Sequence, residues 1–168
     1  TMLLPSSGTI TVLGESVTKN PEKVRNNLGF LSNNTGLYDR LTVEEMIRYY
    51  ADLNDISSSK YFKRRDKLYQ LLSLGEISNR RIAGLSTGMK QKVSIARTMI
   101  NNPSVVVFDE PTTGLDVLSS RAIVNLILRC KEEGKTVIFS SHRMVEVETL
   151  CDDIAILYQG AFFFNDKI

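Results

Sequence analysis

The apolar positions of the chain fall into two kinds of pattern, short continuous runs and longer stretches in which they recur at helical spacing. Ile10 and Val12, closed by Gly14, predict a first short strand, and Leu28 to Leu31 predict a second that enters the polar loop 32–35. A helix is expected to begin at Thr42, because Thr42 and Glu45 have the spacing of a capping box and Leu41 can staple onto Met46. Val43, Met46, Ile47, Tyr50 and Ala51 then share one face. A second helix is expected over 60–74, ending near Gly75. A third is expected over 88–101 before Pro103, with Met89, Val93, Ala96 and Ile100 as its buried stripe.

From residue 104 the pattern changes. Unbroken apolar runs at 105–108, 137–139 and 154–157 alternate with a long amphipathic helix and a short one, which is βαβ order. The long helix turns Leu118, Ala122, Ile123, Leu126, Ile127 and Cys130 to the core and stops near Gly134. Runs without alternation predict strands buried on both faces of a parallel sheet. Phe162, Phe163 and Phe164 are expected to form a further strand packed on that sheet.

Composition narrows the class. At 168 residues, 42% hydrophobic and 24% charged, the chain has the balance of one ordinary globular unit. Lys plus Arg total 21 against 19 Asp plus Glu, so the net charge of +2 gives no field that implies nucleic acid. Lys60, Lys63, Arg64 and Lys67, with Arg65 beside them, make a basic helical stripe that reads as a solvated face, because no recognition motif accompanies it. With Cys130 and Cys151 isolated and a single histidine, neither a zinc site nor a disulfide framework is expected. No apolar run approaches the roughly 18 residues of a membrane span. Thr1 follows no initiator methionine and opens no signal-like segment, so the chain is expected to begin at an internal cut.

The chemistry concentrates where strands end. The run 105–108 delivers Asp109 and Glu110 at its carboxyl end, where open α/β sheets bind ligands, and adjacent carboxylates in such a place point to Mg²⁺. Upstream, Ser86 can cap the third helix and Gly88 lets a ligand approach, so the helix start suits a phosphate. His142, the only histidine, follows the strand that ends at Ser140.

In this order the segments resemble the ABC transporter ATPases over almost the whole chain. Leu85-Ser86-Thr87-Gly88-Met89 is similar to their signature and Val105 to Pro111 to their Walker B strand. Gly114-Leu115-Asp116 is similar to their D-loop, Ser140-Ser141-His142 to their switch histidine, and Asn33 occupies the place of the Q-loop glutamine. The segments 86–92 and 36–42 are similar to the exporter branch that includes sodium-extrusion ATPases. Thr87, Met89 and Asn33 depart from the family's usual Gly, Gln and Gln.

The resemblance implies an α/β P-loop NTPase fold, a mostly parallel sheet plus a helical subdomain at about 42–101, with the Walker B, D-loop and switch-histidine core at 102–168. It implies an ATPase using ATP and Mg²⁺. Asp109 would bind the metal, Glu110 would act as general base, and His142 would contact the γ-phosphate. Ser86 and Gly88 would act on ATP held by an opposite subunit, Asp116 would link the two sites, and Asn33 would stand near the metal. The implied partners are a second ATP-binding subunit and a membrane-spanning subunit, with the chain peripheral on the cytoplasmic face of the cell membrane. The rival readings are a soluble ABC-type ATPase acting on ribosomes or nucleic acid, and an inactive regulatory cassette.

No G-x-x-x-x-G-K-S/T phosphate loop occurs in the sequence. Gly134-Lys135-Thr136 matches its last letters, but Arg129 stands where the first Gly is needed and the order is helix then strand. In the resembling family that loop lies upstream of a segment like Pro5-Ser6-Ser7-Gly8, so the resemblance implies that the first strand, the phosphate loop and most of its helix precede Thr1, and these residues alone are expected to lack ATPase activity.

Overall fold

A computed structural model describes residues 4–32 and 36–167. Asn33 and most of the loop 32–35 lie outside the described residues. The chain opens with a small antiparallel hairpin, β1 (Thr11–Val12) and β2 (Glu15–Ser16), turned by Gly14 at φ +80°. Helix α1 (Pro21–Asn27) leads into β3 (Leu28–Leu31), the strand expected at those residues.

The helical layer follows. In α2 (Val43–Leu53) the Thr42 hydroxyl accepts from the Glu45 N–H and the Glu45 carboxylate accepts from the Thr42 N–H, so the expected capping box closes from both sides. Its face of Val43, Met46, Ile47 and Ala51 is buried. Helix α3 (Ser58–Leu72) starts two residues before the expected Lys60 and ends where Ser73 turns left-handed at φ 55°. Short 3₁₀ turns at Gly75–Ile77 and Ile82–Gly84 bring the chain to α4 (Thr87–Met99).

Much of the basic stripe on α3 is tied into the protein. Arg64 donates to the Ile100 carbonyl, Arg65 pairs with Glu44 and Asp66, and Lys67 pairs with Glu133. Glu44 also accepts from the hydroxyls of Tyr61 (2.6 Å) and Tyr69 (2.7 Å). Burial pushes the Glu44 carboxyl up, but the bonds from Tyr61, Tyr69 and Arg65 outweigh it and leave the group below its usual value.

The site is carried by β4 (Val105–Asp109), which lies between β3 and β5 (Thr136–Ser140) and is parallel to both. Helix α5 (Val117–Glu132) makes the crossover from β4 to β5. The short α6 (Met144–Leu150) follows β5. Phe108, Ile123, Leu126 and Ile127 pack between sheet and helices in one core that continues into the helical layer through Leu31, Ile95 and Ile100.

Three expectations fail here. Among the described residues the sheet is covered on one face, not two: in register across β4, Phe30 and Ile138 stand 56% and 57% exposed on either side of Val107. The run 154–157 does not join the parallel sheet. It forms β6 (Asp153–Tyr158), which pairs antiparallel with β7 (Ala161–Lys167), and Phe162, Phe163 and Phe164 are exposed on that ribbon instead of packed on the sheet. Leu118 is also exposed, because it lies off the buried face of α5, which is made by Ser119, Ser120, Ile123, Leu126, Ile127 and Cys130. An apolar run reports burial potential but not the partner strand.

Candidate functional site

Parallel pairing aligns the ends of β4 and β5, with Asp109 opposite Ser140. The Ser140 hydroxyl donates to Asp109 Oδ1 (2.7 Å) and accepts the Glu110 N–H (2.9 Å), so one side chain fixes both acidic residues. Glu110 adopts φ 47°, a left-handed conformation that a residue with a side chain seldom takes. There the strand breaks, and the Glu110 side chain meets the loop that follows β5.

Glu110 Oε2 accepts from the Thr113 hydroxyl (2.7 Å) and stands 2.9 Å from His142 Nδ1. The Thr113 bond, helped by His142, holds the Glu110 carboxyl below its usual range against a small burial penalty. Glu110 is therefore ionised at neutral pH and can only accept, which places the His142 proton on Nδ1. The ring is 67% exposed, with Nε2 left to meet a ligand.

Ser86 is the N-cap of α4, accepting from the Met89 N–H. Its hydroxyl proton stays available for donation, beside the unpaired N–H groups of the helix's first turn. Gly88 sits where α4 meets α5. A Cβ there would stand 2.6 Å from Ser119 Oγ and 3.1 Å from Asp116 Oδ2, so its lack of a side chain lets α4 close on the start of α5. Asp116 is the N-cap of α5, accepting from the Ser119 N–H and hydroxyl, both at 2.8 Å. The Ser119 N–H and hydroxyl hold the Asp116 carboxyl low. Gln91, one turn into α4, donates to the Pro111 carbonyl and ties this junction to the acidic turn.

The structure thus gathers Asp109, Glu110 and His142 in one cluster and Ser86, Gly88 and Asp116 around a second. Ser140, Thr113 and Ser119 were not singled out from the sequence as site residues. Ser140 lay within a quoted motif, but its role depends on strand register, which the sequence does not state.

Asp109 and Glu110 offer hard oxygen donors. Among the described residues no three His, Cys, Asp or Glu side chains converge on a metal-sized group. That donor set fits an ion that takes few protein carboxylates and completes its shell with water and phosphate oxygens, which is the habit of Mg²⁺.

The parallel sheet and the acidic turn are consistent with an α/β P-loop NTPase fold of the ATP-binding-cassette kind, and superposition on solved structures gives that class. A solved structure of the ATP-binding subunit of an ABC transporter superposes with a TM-score of 0.91 at 29% identity, over 99% of this chain and 70% of that one. A dimeric ATP-binding cassette in a post-hydrolysis state, bound to ADP and Pi, superposes with a TM-score of 0.84 at 24% identity, over 99% and 75%, and shares the fold. The family described as ABC transporter matches residues 1–113. The ABC transporter ATP-binding protein NatA of Bacillus subtilis is 41% identical over 168 residues, 99% of this chain and 68% of that protein. The chain belongs to the ABC transporter ATP-binding family. It spans as little as 6% of the length of longer curated relatives.

Proposed function

We propose that this chain is part of an ATP-binding subunit that couples ATP binding and hydrolysis to transport, in the direction of export, by a separate membrane protein. The observation that carries this reading is the contact of Glu110 with His142 beside Asp109, at the carboxyl ends of adjacent parallel strands. Among the described residues no helix is long and apolar enough to cross a membrane, so on this reading a partner supplies the pathway.

Asp109 would hold Mg²⁺, directly or through water, and the ion would offset phosphate charge. Glu110, kept ionised by Thr113 and His142, would accept the proton of the attacking water. His142 would stabilise the γ-phosphate through Nε2. Nδ1 is engaged by Glu110, so Nε2 is the ring nitrogen that would face the phosphate. Ser86 and Gly88, at the start of α4, would contact ATP on a second ATP-binding subunit, and Asp116, against which Gly88 packs, would join the two sites. Asn33 would contribute near the metal. The segment 33–42, with Tyr38 half-exposed, and the helix beginning at Thr42 would meet the membrane subunit on the cytoplasmic face.

Glu110→Gln in the natural protein tests the central role. ATP binding should persist while turnover falls by about 100-fold or more, the scale of a positioned base. Turnover within a few-fold of wild type would remove Glu110 from the mechanism.

A further inference from the structure

We propose that Glu146 is a positioning residue that clips the loop after β4 to the loop after β5 and so sets His142 against Glu110. The inference rests on the roles given above to Glu110 and His142. Among the described residues Glu146 is the one acidic or basic side chain in the buried class, 7% exposed, and it lies beyond the acidic turn, in the first turn of α6.

A carboxylate so buried is costly unless donors surround it, and here they come from both loops. Oε2 accepts from the hydroxyls of Thr112 (2.8 Å) and Ser141 (3.2 Å), and Oε1 pairs with Arg143 Nη1 (2.6 Å). The Arg143 N–H also donates to Ser141 Oγ (3.1 Å). Ser141 and Arg143 flank His142 on either side, and Thr112, itself 3% exposed, precedes the Thr113 that donates to Glu110.

The need for such a clip follows from the sheet. The parallel ladder between β4 and β5 ends at Asp109 and Ser140, so no further strand pairing fixes one loop relative to the other. The His142 ring is two-thirds exposed and is not held by packing. Its 2.9 Å approach to Glu110 therefore depends on where its backbone is anchored, and Glu146 anchors the residues on both sides of it.

The test uses Glu146→Gln, Thr112→Val and Thr112→Ser in the natural protein. Two readouts are taken, ATPase kinetics and the His142 tautomer from long-range ¹H–¹⁵N spectra, with the His142 signals identified by their loss in His142→Gln. Glu146→Gln and Thr112→Val should lower kcat by about 10- to 100-fold, the scale of a small misplacement of reacting groups, with the KM for ATP nearly unchanged. The Nδ1–H tautomer of wild type should give way to a mixture, and Thr112→Ser should restore both readouts. Should Glu146→Gln fail to fold, the Thr112 pair decides alone. A wild-type tautomer and kcat in folded Thr112→Val overturn the proposal. If Glu110→Gln itself retains turnover, the reading of Glu110 fails, while the tautomer readout still judges the clip.

Discussion

Gly88→Ala adds a single methyl group where α4 meets α5, and its cost can be worked from the distances. The new Cβ would stand 2.6 Å from Ser119 Oγ, 3.1 Å from Asp116 Oδ2 and 3.2 Å from Ser119 Cβ. The Ser119 hydroxyl must rotate away, which gives up its bond to Asp116 and about 1 kcal/mol. The remaining crowding is mild overpacking, about 1 kcal/mol at the low end of its range. Alanine is preferred to glycine inside a helix by about 0.5–1 kcal/mol, which offsets part of this. The net expectation is a loss of about 1–1.5 kcal/mol. Denaturant unfolding of the natural protein measures it, as a lower midpoint at constant slope. Ser119→Ala removes the clashing oxygen, so in that background the Gly88→Ala penalty should shrink by about 1 kcal/mol. A neutral or stabilising Gly88→Ala, or a penalty indifferent to Ser119, would refute the account of Gly88 as a close-packing residue.

Glu44→Gln should cost roughly 1–2 kcal/mol at neutral pH, a figure lowered for the carboxylate's partial exposure. Because folding depresses the Glu44 pKa, its contribution is present above the ordinary value of 4.5 and is lost as pH falls through the lower folded value. Urea unfolding at neutral pH and near pH 3 should therefore show the gap between wild type and variant closing in acid, and a constant gap would refute the assignment. Burial pushes the Cys130 thiol up to about 11, while Cys151 is less enclosed. Alkylation near pH 8 followed by mass spectrometry should label Cys151 well before Cys130, and equal rates would contradict the packing around α5.

What the sequence made legible was local. Thr42 and Glu45 lie three residues apart and need only each other, so the start of α2 followed from spacing. The strands at 28–31 and 105–108 were likewise bounded by their own composition. The pairing of β6 with β7 was not legible, because an apolar run fits a buried parallel strand and an exposed ribbon equally well. At the site, Asp109, Glu110 and His142 could be singled out as residues that end strands. Their mutual geometry depends on Ser140, opposite Asp109 only through register, and on Glu146 reaching Thr112 across 34 residues. Gly88 could be singled out as the residue without a side chain beside a helix start, but its close approach to Ser119 and Asp116 depends on the neighbouring helix.

The left-handed turn at Glu110 gives that residue two incompatible optima. Glycine would occupy φ 47° without steric cost, so Glu110→Gly should relax the backbone there, yet it removes the carboxylate that meets His142. A search for hardier variants that scores only resistance to unfolding will be drawn toward this position and, on the role proposed for Glu110, will return proteins without turnover. The same pull offers a diagnostic. In a library selected first for heat resistance and then for ATP turnover, position 110 should drift away from glutamate in the first round and return to it in the second.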